Sequence, residues 1–255
     1  MSKYGLAGKG SAAMGLLFEP LLLFVILFLP GAFGRTALPP EISGSAAVAA
    51  QAAEVLPDPA AEAGKAEVLP AAAVFSPLEE LNRILVYNLP ALALIWYLLL
   101  RPETGKPGRI PGFSRRDLWS VLAALPALLF TALSVSLAAS LFNAIPGGGP
   151  PGSPPPRISA WILISLSCLS TGYLEESFFR YYLHEKLTLS GLSAPRFILV
   201  SAALFSLCHI YEGPWGVMNA CFAGLLLALI FARFRALHGI ALAHGLYNLL
   251  VYIIV

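Results

Sequence analysis

Three short clusters of polar residues interrupt apolar stretches in the second half of the chain. They read Glu175-Glu176-x-x-x-Arg180, Phe205-x-x-x-His209 and His244-x-x-x-Asn248. Carboxylates and histidines are side chains that can act as general bases when an apolar setting removes them from water. Because ionisable groups are expensive to place inside a membrane, such clusters in apolar segments predict a functional site.

The spacing within each cluster decides which side chains share a helix face. Glu176 and Arg180 are four residues apart and can pair directly, whereas Glu175 points about 100° away and stays free to act as a base. The other two clusters have the same four-residue spacing, so each also lies on one face. The simpler alternatives are a helix end with solvated charges for the two carboxylates, and hydrogen-bonded core positions for the histidines.

The elements that must position these residues follow from composition. Hydrophobic residues make up 58% of the chain, charged residues 12%, and the mean hydropathy is +0.76. Apolar runs of about 17 to 25 residues are long enough to cross a bilayer as helices. The sequence therefore predicts an all-α, polytopic transmembrane bundle of about seven spans with no sheet, near residues 13–33, 84–100, 118–143, 158–179, 196–211, 215–233 and 239–255.

Basic residues predict the orientation of this bundle. With the N-terminus inside, twelve of the 16 Lys and Arg residues fall on the inner side, as the positive-inside rule requires. We expect a multi-pass protein of a bacterial cytoplasmic membrane, with Arg180 near the inner end of the fourth span and His184 and Lys186 in the connection after it. Glu19 is expected to snorkel at the end of the first span. No concentrated basic face is present, so a nucleic-acid partner is not expected.

The organisation along the chain alternates between apolar segments and two segments rich in Pro. The first span could be an anchor or a signal-peptide core, and we favour the anchor. The segment after it is rich in Ala, Pro and Glu, with seven acidic and two basic residues, and is predicted to be an exported, disordered linker. The predicted divisions are an anchor at 1–33, the linker at 34–82, two helices at 83–145, a Gly/Pro loop at 146–156, and a core of four helices at 157–255.

The cysteines are predicted to have a packing role. Cys168, Cys208 and Cys221 lie in apolar segments without the paired spacing of a disulfide framework. Cys208 adjoins His209, but adjacent residues on a helix point about 100° apart and do not face each other. A Cys/His nucleophile is therefore disfavoured.

The three clusters, in this order on successive predicted membrane helices, resemble the CAAX protease and bacteriocin-processing (CPBP) family, also called the Abi family of intramembrane glutamic endopeptidases. The resemblance covers about residues 158–255. It implies hydrolysis of a peptide bond in a membrane protein, or in a lipidated or leader peptide, at the bilayer. It also implies roles for seven residues: water activation by Glu175 and His209, oxyanion binding by His244 and Asn248, and support from Glu176, Arg180 and Phe205.

Three other functions use the same polar residues. Glu175, His209 and His244 could ligate a catalytic zinc ion, although no His-Glu-x-x-His helix is present and the family resemblance favours a mechanism without a cofactor. The chain could instead be a non-catalytic scaffold or bacteriocin-immunity protein that binds a peptide. A transporter is disfavoured, because no inverted repeat is visible and Gly and Pro fall mostly in loops. The substitution Glu175→Gln separates an enzyme from a binding protein.

Overall fold

The computed structural model of the protein describes residues 4–34, 76–101, 111–142 and 157–254, so the predicted Gly/Pro loop at 146–156 and most of the predicted linker at 34–82 lie outside the described residues. Within these ranges the regular elements are helical and no strand occurs, so the predicted all-α class is confirmed. The helices are α1 (Tyr4–Leu27), α2 (Leu29–Gly34), α3 (Pro77–Leu100), α4 (Arg115–Leu141), α5 (Ile158–Leu189), α6 (Ala194–Leu207), α7 (Gly213–Phe234) and α8 (Leu237–Ile254), with a short 3₁₀ turn at Ile210–Glu212 before α7.

Seven apolar helical segments correspond to the seven predicted spans. Four of them are long and apolar enough to cross a membrane: α3, α4, α5, and α7 together with its 3₁₀ turn. The other three are shorter apolar helices, at Leu16–Gly31, Ala194–Leu207 and Leu237–Ile253. Large apolar side chains such as Phe130, Leu133 and Leu137 are exposed on the outside of the bundle, where a bilayer would cover them. The chain is therefore a membrane protein.

Helix α8 lies at the centre of the packing. It runs against α5 on one side and against α4 on the other, while α7 packs on α4 and α6. The crossing of α5 and α8 is close because two glycines face it. A Cβ atom at Gly172 would lie 2.7 Å from the backbone nitrogen of Gly245, and a Cβ at Gly245 would lie 2.8 Å from the Cα of Leu169. Small residues allow such backbone approach between membrane helices.

One end of the bundle gathers the basic helix termini. Asp117, buried in the first turn of α4, accepts a hydrogen bond from the backbone nitrogen of Ser114 at 2.7 Å and another from that of Gly239 at 2.9 Å. This carboxylate satisfies N–H groups at the starts of both α4 and α8 and fixes these two ends side by side. Arg235 of the α7–α8 connection contacts His184 of α5 through Nη1.

Two expectations about charged residues were wrong. Helix α5 continues to Leu189, so His184 and Lys186 lie within it and are only 9% and 2% exposed, instead of lying in an inner connection. Glu19 does not snorkel, because its carboxylate is bonded to other helices. A prediction from hydropathy ends a span at the first charged residues. The helix itself can continue through them when other helices supply their ionic partners.

Candidate active site

The two carboxylates of the first cluster stand at the junction between α-helical and π-helical geometry in α5. Residues Ile158–Glu176 are α-helical, and Ser177–Tyr182 form a π-helical segment before the α-helix resumes. The wider turn places five of its six residues, all except Tyr181, in the interior. π-helical segments are rare and are frequent at functional sites, and a second one lies in α3 at Arg83–Asn88.

Glu176, Arg180 and His244 form a buried ionic cluster. The carboxylate oxygen Oε1 of Glu176 lies 3.0 Å from Nη1 of Arg180 and 2.8 Å from Nδ1 of His244. The side chains of Glu176 and Arg180 are 0% exposed and that of His244 is 6% exposed. Buried charges persist only when they are paired, so the three groups depend on one another. The pairing of Glu176 with Arg180 was predicted from their spacing, whereas the contact with His244 was not.

Glu175 lies beside this cluster and is partly accessible. Its Oε2 is 3.6 Å from Nε2 of His244, and its side chain is 14% exposed. His244 therefore lies between the two carboxylates, with one ring nitrogen directed to each. The second oxygen of Glu176, Oε2, is buried and has no hydrogen-bond partner among the described residues. An unsatisfied buried acceptor next to an accessible carboxylate is a natural place for a water molecule or a substrate donor.

His209 follows the end of α6 and is oriented by the backbone. Its Nδ1 lies 2.7 Å from the carbonyl oxygen of Phe205, which can only accept, so Nδ1 carries the proton. In the neutral ring, Nε2 is then left with a free lone pair, as a general base or a water ligand requires. No direct contact joins His209 to Glu175 among the described residues, so the structure does not bring these two predicted partners together.

The ring of Phe205 connects the histidines to the ionic cluster. Its centroid is 4.6 Å from that of His209 and 5.7 Å from that of His244, and the guanidinium carbon of Arg180 lies 4.5 Å from it. A cation over an aromatic face is stabilised by the quadrupole of the ring. Gly224 of α7 makes room for this arrangement, since a Cβ there would lie 3.2 Å from the Phe205 side chain.

Asn248 lies one helical turn beyond His244 on α8. It is partly buried, and its side-chain amide makes no hydrogen bond to another described residue. Its donors are therefore available on the same helix face as His244. The structure thus gathers Glu175, Glu176, Arg180 and His244 in direct contact, places His209 next to them across Phe205, and leaves Asn248 adjacent along α8.

Sequence reasoning missed two side-chain amides, the buried Asn88 and the partly buried Asn219. Asn88 of α3 is 1% exposed and donates from Nδ2 to the hydroxyls of Ser170 (2.8 Å) and Thr171 (3.0 Å), one turn before Glu175 on α5. Asn219 of α7 donates to the hydroxyl of Tyr247 at 3.3 Å. A polar amide inside an apolar run was the available signal for both, because burying it without partners is costly.

A metal site is not formed by the described side chains. No group of three or more His, Cys, Asp or Glu residues in these ranges is arranged to hold a metal ion. The zinc ligands considered from the sequence, Glu175, His209 and His244, do not form such a group among the described residues. The cysteines at 168, 208 and 221 are free, and the thiol of Cys208 donates to the carbonyl oxygen of Phe205 at 3.0 Å. Its Sγ also lies 3.3 Å from Nδ1 of His209, so the expectation that these two side chains do not face each other was wrong, because both residues follow the end of α6 at Leu207, where helical spacing no longer applies.

Fold and site together define a class: a helical membrane protein with a buried carboxylate–arginine–histidine cluster and one accessible carboxylate beside it. Residues 157–250, which carry all three motifs, match the model of a protease family described as Rce1-like, type II CAAX prenyl endopeptidase. The resemblance predicted from the motifs is thereby confirmed for this part of the chain, and a protease function is supported in general terms. Searches of curated proteins and of solved structures returned no match.

Proposed function

We propose that this chain is an intramembrane endopeptidase that hydrolyses a peptide bond of a membrane protein, or of a lipidated or leader peptide. The observation that carries the proposal is the accessible carboxylate of Glu175 beside the buried cluster of Glu176, Arg180 and His244. The family match supports the same reaction class. We place the protein in a bacterial cytoplasmic membrane with its N-terminus inside, because the basic helix ends gather at one end of the bundle.

In this proposal Glu175 takes a proton from a water molecule that is also held by Nε2 of His209. The hydroxide formed attacks the scissile carbonyl carbon, and the carbonyl oxygen becomes an oxyanion. When the tetrahedral intermediate collapses, Glu175 returns the proton to the leaving amine, so a water is consumed and no cofactor is needed. A positioned base and positioned donors are what hydrolysis of an amide requires.

His244 and Asn248 are assigned to the oxyanion. Donation from Nδ1 of His244 to Glu176 fixes the ring and directs Nε2 toward the side of Glu175. In the protonated ring, Nε2–H is the donor to the oxyanion, and the amide of Asn248 supplies the second. Removing one such donor from a hydrolase costs about 3 to 4 kcal/mol of transition-state stabilisation. Arg180 supports the site by pairing with Glu176, and Phe205 supports it by packing against the rings of His209 and His244.

A groove on the lipid-facing side supports a lipidated substrate. It lies between α4 and α7, has a volume of about 720 Å³, and its lining includes Phe130, Leu226 and Ile230. The hydroxyls of Thr131 and Ser134 in its wall donate to carbonyls of their own helix. The surface that the wall presents to a ligand is therefore apolar. An isoprenoid or acyl chain fits that chemistry. The groove and the site share α7, since Leu225 lines the groove and a Cβ at the neighbouring Gly224 would lie 3.2 Å from the Phe205 side chain.

The test is a comparison of protein termini in membranes from cells that express the wild type or Glu175→Gln at matched levels. The matched control is Glu185→Gln, which makes the same chemical change at an exposed position of the same helix. We expect new N- and C-termini with the wild type and with Glu185→Gln, and none with Glu175→Gln. Cleavage that persists in a zinc chelator agrees with water activation without a metal.

Two results would count against the proposal. Identical termini in all three membranes, with each protein folded and inserted, would favour the scaffold or immunity function, in which the polar cluster binds a peptide. Stoichiometric zinc in the purified protein, together with loss of cleavage on chelation, would replace the proposed water activation by zinc chemistry. Comparing the cleavage rates of a prenylated peptide and its unmodified form then tests whether the enzyme recognises a lipid chain.

A further inference from the structure

The first helix carries a carboxylate that is bonded to three other side chains from two other helices. Oε1 of Glu19 accepts from the hydroxyl of Tyr182 at 2.5 Å and from Nζ of Lys186 at 2.9 Å, and Oε2 accepts from Nη2 of Arg101 at 2.6 Å. Arg101 ends α3, while Tyr182 and Lys186 belong to α5. The side chain of Glu19 is only 26% exposed and that of Lys186 only 2%. A single charge on α1 thus ties α3 and α5 together.

This network is attached to the same helical segment that positions the proposed catalytic carboxylate. Tyr182 is the last residue of the π-helical segment that begins directly after Glu176. Its side chain is completely buried, and the ammonium of Lys186 lies 5.2 Å from the centre of its ring. π-helical geometry is intrinsically less favourable than α-helical geometry and persists where the surroundings hold it. Glu19 supplies such a restraint at one end of the segment, and Glu175 and Glu176 stand at the other.

Aromatic packing continues the connection from α1 to the site. Phe28 of α1–α2 lies 4.9 Å, between ring centroids, from both Phe178 and Phe179, and Phe178 stacks on Tyr182 at 5.8 Å. Phe179 in turn meets Phe205 edge to face at 5.3 Å. Phe205 is the ring that contacts His209, His244 and Arg180. Because protein interiors are close-packed, a shift of α1 would be transmitted through these rings to the histidines.

We propose that Glu19 is a positioning residue for the peptidase site and that α1 belongs to the catalytic core instead of being a removable signal peptide. The proposal rests on the proposed function above. Glu19 acts through Tyr182 and Lys186: it holds the π-helical segment, and that segment sets the direction in which Glu175 and Glu176 project. Neither α1 nor Glu19 lies within the residues that match the protease family.

The first measurement is kinetic. Glu19→Gln keeps the size of the side chain and removes the charge, and Glu79→Gln makes the same change at an exposed position of α3 as a control. With the substrate identified from the terminus comparison, we expect kcat per folded protein to fall at least about tenfold for Glu19→Gln while KM stays within about twofold, since misplacing a catalytic group lowers the rate more than binding. Lys186→Gln should act likewise, and the double variant should be no worse than either single one.

The second measurement reports on the helix without requiring proteolysis. Hydrogen exchange of the intact protein, followed by mass spectrometry, should show about tenfold faster exchange of the amides at 177–182 in Glu19→Gln than in the wild type or Glu79→Gln, with α4 unchanged. Unchanged exchange at 177–182 would overturn the positioning role. Faster exchange with an unaltered kcat would overturn the link to catalysis. If the wild type cleaves nothing, the proposed function itself has failed, and the catalytic role of Glu19 falls with it.

Discussion

Replacing Arg180 by Met tests whether the buried ionic cluster is held together as its geometry indicates. The guanidinium and the carboxylate of Glu176 are both fully buried, with 3.0 Å between Nη1 and Oε1. Met has an unbranched side chain of similar length but no charge, so the Glu176 carboxylate loses its main counter-charge. Removing one partner of a buried ion pair destabilises a protein by about 3 to 5 kcal/mol, because the remaining charge stays desolvated. The contact from His244 to Glu176 places the expected loss near the lower end of that range.

This loss can be expressed as a melting temperature. For a chain of this size, 1 kcal/mol corresponds to about 2 to 4 °C, so a loss of about 3 kcal/mol should lower the melting temperature of Arg180→Met by roughly 6 to 12 °C. The assay is thermal unfolding in detergent, followed by circular dichroism. Arg116→Met is the matched control, since Arg116 is exposed at the start of α4 and its replacement should change stability by less than about 0.5 kcal/mol.

The double variant Glu176→Gln/Arg180→Met separates charge from packing. If the cost of Arg180→Met comes from an unpaired buried carboxylate, neutralising that carboxylate should recover at least half of the lost stability. The double variant should still be inactive, because the amide oxygen of Gln at position 176 can accept from His244 but carries no negative charge to stabilise the protonated ring that the proposed oxyanion contact requires. The reasoning is refuted if Arg180→Met melts together with Arg116→Met, or if the double variant is less stable than the single one.

Two further substitutions test the positions of the helices and the chemistry of the nucleophile. Gly172→Ala should reduce activity at least about tenfold, because its Cβ would lie 2.7 Å from the backbone of Gly245 and force α5 away from α8, which carries His244. A wild-type rate in the peptidase assay would contradict the close packing of α5 against α8. Cys208→Ala should keep nearly full activity, since the thiol is buried and donates to a backbone carbonyl; loss of activity with an intact fold would reopen the Cys208/His209 pair as a nucleophile.

The fold class and the helices were predictable from the sequence because both depend on local composition. A run of apolar residues long enough to cross a bilayer has few alternatives to a helix, since each backbone polar group must be satisfied within its own segment. The helix boundaries were less predictable. The fourth span was expected to end at residue 179, yet α5 continues to Leu189, because the charges of Arg180 and Lys186 are neutralised by partners that a local pattern does not contain.

The sequence by itself determined which residue types are available for chemistry: the paired carboxylates, the arginine four residues later, the two histidines and the asparagine. Their roles in the reaction stay predictions. Only the tertiary structure decided that His244 lies between both carboxylates, while His209 contacts neither directly, and that Glu19 is bonded to α5. The contact of His244 with Glu176 joins residues 68 positions apart, and that of Glu19 with Tyr182 joins residues 163 apart. Spacing along a helix reaches only three or four residues, so the pairing of buried charges between helices is fixed by how the helices pack.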